Sequence, residues 1–271
     1  MKNLLISVFA GIIVLSIAAG NCFAEKIVIA GSTTVLPIAQ RTAEVFMDDN
    51  SGADVSVRGG GSSVGIAALI DGTCDIADSS RPIKDVEIQQ AAANGRDPVA
   101  HIVALDGIAV VVNKSNSVSK LTKKQVKDIF TGKISDWSQL GGKPGKIVIV
   151  SRDTSSGTFE AFGELVMSKE KVVPSALMQA SNQAVAQIIA QTPQAIGYVG
   201  LGFMSGDLKA IEIDGVMPST DTVLSGEYPV TRPLFMYSNG KPQGMLAEYI
   251  DFVKSPEGQE LVEEQGYVGL K

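Results

Sequence analysis

The sequence predicts an α/β fold made of two lobes. Short apolar strand patterns alternate with amphipathic helical patterns along most of the chain, which is typical of a sheet covered by helices on both faces. The chain has 271 residues, 45% hydrophobic and 19% charged, which is enough to bury one large or two ordinary cores. Because no long linker rich in proline, glycine or serine divides it, we expect two lobes joined by crossing strands rather than two tethered domains.

Three strand-loop-helix units open the predicted first lobe. The strand KIVIAG leads through the loop GSTTVLP into a helical pattern with apolar positions at Val35, Ile38 and Phe46. The second unit is DVSVRGGG, followed by the short helix SSVGIAALIDG. The third is the strand CDIADSS, followed by a helix that we expect to begin at Pro82, since proline is favoured at the first helical position.

The later patterns predict a second lobe and a return to the first. The β-branched segment VALDGIAVVVN leads into the helical region LTKKQVKDIFTGKISDWSQLGG and then into another strand-loop-helix unit, KIVIVSRDTSSGTFEAFGELVM. Further strands are predicted at AIGYVGLGF and KAIEID, a crossing strand at RPLFMYSNG, and two final helices interrupted at Pro256. We therefore assign residues 25–106 and 232–271 to the first lobe and 107–231 to the second, with hinges near Asp106 and Arg232.

Residues 1–24 have the pattern of a secretory signal peptide. Lys2 precedes an apolar run, and small residues at Cys22 and Ala24 lie three places and one place before Glu25. We expect cleavage near Ala24 and a periplasmic or secreted protein. Because Asn21 rather than a small residue precedes Cys22, the sequence argues against a lipid anchor.

Charge and cysteine content exclude several functions. The net charge of -6 becomes -7 without residues 1–24, which contain one lysine and no acid, so we expect no nucleic-acid partner. Only Cys74 remains after cleavage, which leaves no intramolecular disulfide. Its small and apolar neighbours predict a buried, unreactive thiol.

Four loops of similar composition precede predicted helices: GSTTVLP, GGGSSVG, ADSSRPI and SRDTSSGTF. A helix N-terminus offers unpaired N–H groups and partial positive charge, and serine or threonine hydroxyls there complete a site for an oxyanion. Arg81 and Arg152 add planar, forked donors suited to tetrahedral oxygens. One such loop is an ordinary helix cap, but four of them, two with an arginine, predict a shared anion site.

Enzymatic interpretations fit the sequence less well. GSSVG matches the G-x-S-x-G pattern with Ser63 as nucleophile, but His101 is the one histidine of the chain. The acids before His101 are crowded within a few turns and those after it come too late for the order Ser, Asp, His, so the hydrolase arrangement is not matched. No P-loop pattern is present, and one histidine with one retained cysteine argues against a metal site. Trp137 is expected to pack in the core. We therefore expect no catalysis, metal or cofactor.

The chain resembles the periplasmic phosphate-binding proteins that supply phosphate ABC transporters. The resemblance covers essentially the whole chain after residue 24, through GSTTVLP, GGGSSVG, DIADSSRPI, LTKKQVKDIFTGKISDW, SRDTSSGTFEAF, AIGYVGLG, RPLFMYSNG and SPEGQELVEEQGYV in this order. It implies the type II periplasmic-binding-protein fold, in which two hinged lobes close over one phosphate ion. It also implies delivery to the permease subunits of an ABC transporter in the inner membrane, by a protein that we expect to be a monomer.

The resemblance also implies the ligand-binding residues. They are Ser32, Thr33, Ser62, Ser80, Arg81, Arg152, Ser156, Gly157 and Thr158, with Thr34 as an additional candidate. Well-known members have an aspartate at the position of Ser80, which accepts the proton of hydrogen phosphate and helps to exclude sulfate. Here Ser80, Asp78 or Asp153 would have to take that role. The sequence favours phosphate as the ligand. The alternative is a binding protein or sensor for another tetrahedral oxyanion, and the least favoured function is a hydrolase that uses Ser63.

Overall fold

The computed structural model of the protein describes residues 25–270, so the predicted signal peptide lies outside the described residues. The strands are β1 (Glu25–Gly31), β2 (Ala53–Gly59), β3 (Ile76–Ser79), β4 (Pro98–Asn113), β5 (Lys120–Leu121), β6 (Val148–Arg152), β7 (Leu177–Gln179), β8 (Ala195–Gly200), β9 (Leu208–Ala210), β10 (Glu212–Ile213) and β11 (Thr231–Asn239). The helices are α1 (Leu36–Asp49), α2 (Ser62–Ile70), α3 (Asp85–Ala93), α4 (Lys123–Phe130), α5 (Gly157–Leu165), α6 (Asn182–Gln191), α7 (Thr220–Leu224), α8 (Gly244–Lys254) and α9 (Pro256–Glu264).

One nine-stranded sheet runs through the fold in the order β2-β1-β3-β11-β4-β8-β6-β7, and β9 also pairs with β4. The strands β1, β2 and β3 are parallel to one another, as are β6, β7 and β8. The strand β11 is antiparallel to β3, β4 is antiparallel to β8, and β4 and β11 are antiparallel to each other. The first part of β4 pairs with β11, and its later part, from Ile108, pairs with β8. The predicted crossing strands therefore join the two halves of one sheet.

Two large apolar cores lie on the two sides of this junction. One core, which includes Ile29, Phe46 and Tyr249, packs α1, α8 and α9 against β1, β3 and β11. The other, which includes Phe130 and Tyr198, packs α4, α5 and α6 against β4, β6 and β8. We name the parts built on them the first and second lobes; the two-lobed α/β fold matches the prediction. Trp137 packs in the second core at 1% exposure, as predicted.

The third predicted helix begins later than expected. The prediction of a start at Pro82 is wrong, because α3 begins at Asp85. The Glu87 side chain accepts a hydrogen bond from the Lys84 N–H at 2.9 Å, which fixes the first turn three residues further along the chain. Pro82 therefore stays in the loop that connects β3 to α3.

The final helical pair is interrupted where the sequence predicts. Ser255 separates α8 from α9, and its hydroxyl accepts from the Gly258 N–H at 3.1 Å and donates to the Phe252 carbonyl at 2.7 Å. By contrast, KAIEID forms two short strands, since β9 pairs with β4 and β10 pairs with β5. Within residues 25–270 no helix combines the length and the apolar character needed to cross a membrane.

Candidate anion-binding site

The four loops of the predicted site converge where the two lobes meet. They follow β1, β2, β3 and β6 and lead to α1, α2, α3 and α5. Because the carboxyl ends of parallel strands share one edge of a sheet, the loops of each lobe lie together. Each of the nine predicted ligand residues is buried: Ser32, Thr33, Ser62, Ser80, Arg81, Arg152, Ser156, Gly157 and Thr158.

Glycine permits the close approach of the lobes. A side chain at Gly157 would place its Cβ 2.3 Å from the Ser62 hydroxyl oxygen and 2.7 Å from that of Ser80. Gly61 has φ +102°, and a Cβ there would lie 2.6 Å from the Ser155 carbonyl oxygen. The N-termini of α2 and α5 therefore meet almost in backbone contact, a geometry that only glycine tolerates.

Arg152 supplies a buried cation with spare hydrogen-bonding capacity. Its Nη2 donates to the Thr33 hydroxyl at 3.1 Å and to the Ala180 carbonyl at 2.9 Å, and its Nε donates to the Gln179 carbonyl at 3.1 Å. In the described part of the chain, Nη1 has no hydrogen-bond partner, although Arg152 is only 1% exposed. Burial lowers the pKa of Arg152 to about 10, and the nearby Tyr198 and Asp153 offset the lost hydration only in part.

The Ser156 side chain caps the N-terminus of α5. The Ser156 hydroxyl oxygen accepts from the N–H groups of Thr158 and Phe159, both at 3.2 Å. Ser156 is therefore an N-cap, and its own O–H proton is free to point elsewhere. Within the first lobe, the Ser62 hydroxyl oxygen accepts from the Ser80 N–H at 3.0 Å and lies 3.3 Å from the Ser80 hydroxyl.

A second buried arginine completes the cluster and was predicted only as a hinge residue. Arg232 donates from Nη2 to the hydroxyls of Thr158, at 3.0 Å, and Thr34, at 3.3 Å, and from Nη1 to the Ser80 carbonyl, at 3.1 Å. Its Nε and Nη2 also donate to Asp106 Oδ2, at 3.1 and 2.8 Å. Burial raises the pKa of Asp106 despite the nearby Arg232 charge. The sequence signal that could have identified this pair is the presence of a charged residue, Asp106 or Arg232, within each of two otherwise apolar strand patterns.

Asn182 and Thr34 extend the cluster. The Asn182 amide donates to the Thr34 hydroxyl at 2.9 Å, and the Thr34 and Thr158 hydroxyls lie 3.0 Å apart. Thr34 was named as an additional candidate, whereas Asn182 was missed because SNQAV reads only as a helix start. Far along the chain, the Tyr267 hydroxyl donates to the Thr34 carbonyl at 2.7 Å, so the first loop is also held by the last segment.

Arg81 has different partners from those that its predicted ligand role requires. Its two terminal nitrogens donate to the Glu87 carboxylate at 2.8 and 2.7 Å, and also to the Pro82 carbonyl and the Ser63 hydroxyl. Its Nε lies 3.1 Å from Glu160 Oε2, and the two groups form an ion pair. The structure thus directs the Arg81 guanidinium to acids and brings together the other eight predicted residues.

The candidate proton acceptors also differ in their surroundings. Asp153 accepts from the Ser155 N–H at 2.9 Å and the Ser155 hydroxyl at 2.6 Å. Asp78 is 1% exposed, and neither carboxylate oxygen has a partner among residues 25–270. Burial raises its pKa well above the ordinary value. Ser80 is therefore the candidate that lies against the other predicted donors.

The residues of the enzymatic interpretation do not assemble. The Ser63 hydroxyl accepts from Arg81 at 3.0 Å and donates to Glu160 at 3.3 Å. His101 Nε2 instead pairs with the Ser238 hydroxyl at 2.8 Å.

Burial raises the pKa of Cys74 to about 12, so its thiol stays protonated and unreactive, as predicted.

Two α/β lobes with a buried cationic cluster between them are typical of the substrate-binding proteins. The sequence profile described as the PBP superfamily domain matches residues 16–257. Together with the relatives described next, this match means that the chain belongs to the PBP superfamily and, within it, to the family of PstS phosphate-binding proteins.

The relatives match over most of their length. The phosphate-binding protein PstS of Bacillus subtilis is 36% identical over 245 residues, 90% of this chain and 80% of the relative. The PstS of Borreliella burgdorferi is 31% identical, with both chains covered completely. Among solved structures, a putative phosphate ABC transporter substrate-binding protein from Clostridium perfringens, with bound phosphate, superimposes with a TM-score of 0.85 at 32% identity, covering 91% of this chain and all of the other.

Proposed function

We propose that the protein binds inorganic phosphate between its two lobes and delivers it to the permease of an ABC transporter for import. The observation that carries this proposal is the buried Nη1 of Arg152, which has no hydrogen-bond partner in the described chain. A desolvated guanidinium without a counter-ion is costly, and an anion between the lobes would remove that cost.

The charge balance supports a small, doubly charged anion. Arg232 is largely neutralised by Asp106, whereas the hydrogen-bond partners of Arg152 among the described residues are hydroxyl and carbonyl oxygens. The N-termini of α2 and α5 add partial positive charge and N–H donors at the same place. Because the chain is acidic overall, affinity must come from these local, buried hydrogen bonds rather than from long-range attraction.

Among tetrahedral anions, the relatives favour phosphate. The proteins from Bacillus subtilis and Borreliella burgdorferi are named phosphate-binding proteins, and the Clostridium perfringens structure contains phosphate. Hydrogen phosphate carries a proton, and the Ser80 hydroxyl beside Ser62 offers an acceptor for it. Another oxyanion, or a sensor role, is the alternative that the binding experiment below addresses.

Closure of the lobes would assemble the site. Thr33, Ser62 and Ser80 belong to the first lobe, and Arg152 and Thr158 to the second. The division at residues 106/107 and 231/232 is part of this proposal; Asp106 and Arg232 lie opposite each other in the paired strands β4 and β11. An anion that bonds to both lobes stabilises the closed form selectively, which is the signal that a permease reads.

The same proposal places the protein outside the cytoplasm, as a monomer, after cleavage near Ala24 and without a lipid anchor. It involves no catalysis, and the contacts of Ser63 with Arg81 and Glu160 support that view. The partners are inorganic phosphate and the permease subunits of the inner membrane, without metal, cofactor or nucleic acid.

Calorimetric titration of anion-free protein with phosphate and with sulfate at neutral pH tests the proposal. We expect one phosphate per chain, no response to sulfate, and loss of binding in Arg152→Ala and Ser156→Ala. Thr154→Ala is the matched control, since Thr154 lies in the same loop but is exposed. Absence of phosphate binding, or an equal response to sulfate, would overturn the phosphate assignment.

A further inference from the structure

The carboxylate of Glu160 is bonded entirely to the opposite lobe. Glu160 lies in the first turn of α5, in the second lobe. Its Oε2 is 3.1 Å from Arg81 Nε and 2.6 Å from Lys84 Nζ, and its Oε1 accepts from the Ser63 hydroxyl at 3.3 Å. Within residues 25–270 these first-lobe groups are all the polar partners of the carboxylate that the structure gives.

Arg81 depends much less on this contact. It is held within the first lobe by the Glu87 carboxylate and the Pro82 carbonyl. Burial lowers the pKa of Arg81, but the hydrogen bonds to Glu87 and the charge of Glu160 outweigh burial and leave its pKa above the ordinary value. Opening of the lobes would therefore leave Arg81 paired and Glu160 without its partners.

The anion donors and Glu160 share one rigid helix. Ser156, Gly157 and Thr158 form the N-terminus of α5, and Glu160 follows Thr158 by two residues. A movement that brings the N-terminus of α5 to Ser62 and Ser80 also brings Glu160 to Arg81. The side chains of Arg81 and Glu160 are only 4% and 20% exposed, so their attraction is screened less than that of a surface pair.

We propose that Arg81, Lys84 and Glu160 form an interlobe latch, in which Glu160 is a positioning residue that stabilises the closed form and slows release of the bound anion. The inference rests on the proposed function for the identity of that anion. Since the latch contacts exist only when the lobes are closed, they add to the closed population without touching the ligand. The latch also gives a role to Arg81, whose guanidinium contacts acidic side chains rather than the anion-binding cluster.

The experiment compares Glu160→Gln with Glu164→Gln. Glutamine keeps the length of the side chain and removes its charge, and Arg81 retains Glu87, so the fold is preserved. Glu164 lies one turn further along α5, its side chain is 64% exposed, and the ion pair that the structure gives it is with Lys169, at 3.7 Å. Each variant and the wild type are studied by stopped-flow phosphate dissociation at low and high salt, and by small-angle X-ray scattering of the anion-free protein.

For Glu160→Gln we expect about tenfold faster phosphate dissociation, since loss of a partly buried charge pair acts mainly on the off-rate. The difference in dissociation rate between the variant and the wild type should become smaller at high salt. The anion-free variant should have a larger radius of gyration than the anion-free wild type. Lys84→Gln should change dissociation in the same direction by less, because its side chain is 47% exposed. Glu164→Gln should behave as the wild type.

An unchanged dissociation rate and identical scattering in Glu160→Gln would overturn the latch, even if the melting temperature fell. An equal effect of Glu164→Gln would also overturn it, since the effect would then reflect general surface charge. If the wild type binds no phosphate, the proposed function fails instead, and the scattering comparison alone decides the latch.

Discussion

The loops that contain Arg81 and Arg152 have similar composition but place their arginines in opposite electrostatic settings. Arg81 bonds to Glu87 at 2.7 Å and lies 3.1 Å from Glu160. Arg152 contacts hydroxyl and carbonyl oxygens, and its Nη1 has no partner in the described residues. A buried arginine thus indicates an anion site only where the protein has not supplied the counter-charge itself.

The two guanidinium groups also differ in how folding affects their charge. Acidic partners raise the pKa of Arg81, whereas burial lowers that of Arg152 to about 10. The charge of Arg81 is therefore compensated in the folded protein before any ligand arrives. The buried charge of Arg152 destabilises the anion-free protein, and a bound anion would compensate that charge.

The largest expected effect comes from Arg152→Met. Removing the guanidinium should weaken phosphate binding by at least about a hundredfold, because a charge-assisted hydrogen bond in a buried site is lost. The melting temperature of the anion-free protein should stay the same or rise, since an uncompensated buried charge is removed. Calorimetric titration and thermal unfolding measure the two quantities. A lower melting temperature with unchanged affinity would assign Arg152 a structural role.

Arg81→Met should give the opposite pattern. Glu87 and Glu160 would lose their shared cation, and we expect a loss of about 2 kcal/mol in the free energy of unfolding, reduced from the fully buried case because both acids are partly exposed. Phosphate affinity should fall by only about tenfold, through the weaker closed form. Urea unfolding and phosphate titration test this, with Arg41→Met as the control, since Arg41 forms two surface ion pairs, with Glu44 and with Glu264. A larger loss of phosphate affinity in Arg81→Met than in Arg152→Met would contradict the assignment of Arg152, rather than Arg81, to the anion site.

The smallest effect extends the comparison to a buried acid. Burial raises the pKa of Asp78 well above its ordinary value, so the folded protein keeps a proton that the unfolded chain releases. The group therefore favours folding below the unfolded pKa, and that advantage is lost as the pH rises toward the folded pKa. Asp78→Asn should add about 1–2 kcal/mol of stability at pH 7 and little at pH 4.

Urea unfolding between pH 4 and pH 8 measures this effect, with the exposed Asp71→Asn as the control. A gain in Asp78→Asn that does not depend on pH would mean that Asp78 is ionised in the folded protein.

The parts of the site that depend on near neighbours were predictable from the sequence. Ser156 caps α5 through N–H groups two and three residues away, and glycines mark the loops where the lobes approach. The alternation of strand and helix patterns gave the two-lobed α/β fold. The start of α3 was missed because the Glu87 side chain, rather than the ring of Pro82, determines where that helix begins.

Long-range partners were not predictable. Arg232 and Asp106 are 126 residues apart, and they meet only through the register of β11 on β4. The Arg81–Glu160 contact likewise needs the relative position of the two lobes, which no local pattern encodes. The composition of the loops identified both Arg81 and Arg152 as candidates. Only the fold shows that, among the described residues, Arg81 forms ion pairs with acidic side chains and Arg152 does not.

The bond from the Tyr267 hydroxyl to the Thr34 carbonyl has a consequence for biosynthesis. It joins residues 233 positions apart, and Val268 also bridges to Leu105 next to the crossing strands. A nascent chain that has emerged as far as α5 already contains every predicted anion donor, yet it lacks Arg232 and the support for the first loop. The support of the first loop is therefore complete only after residues 267–268 have folded back onto the first lobe.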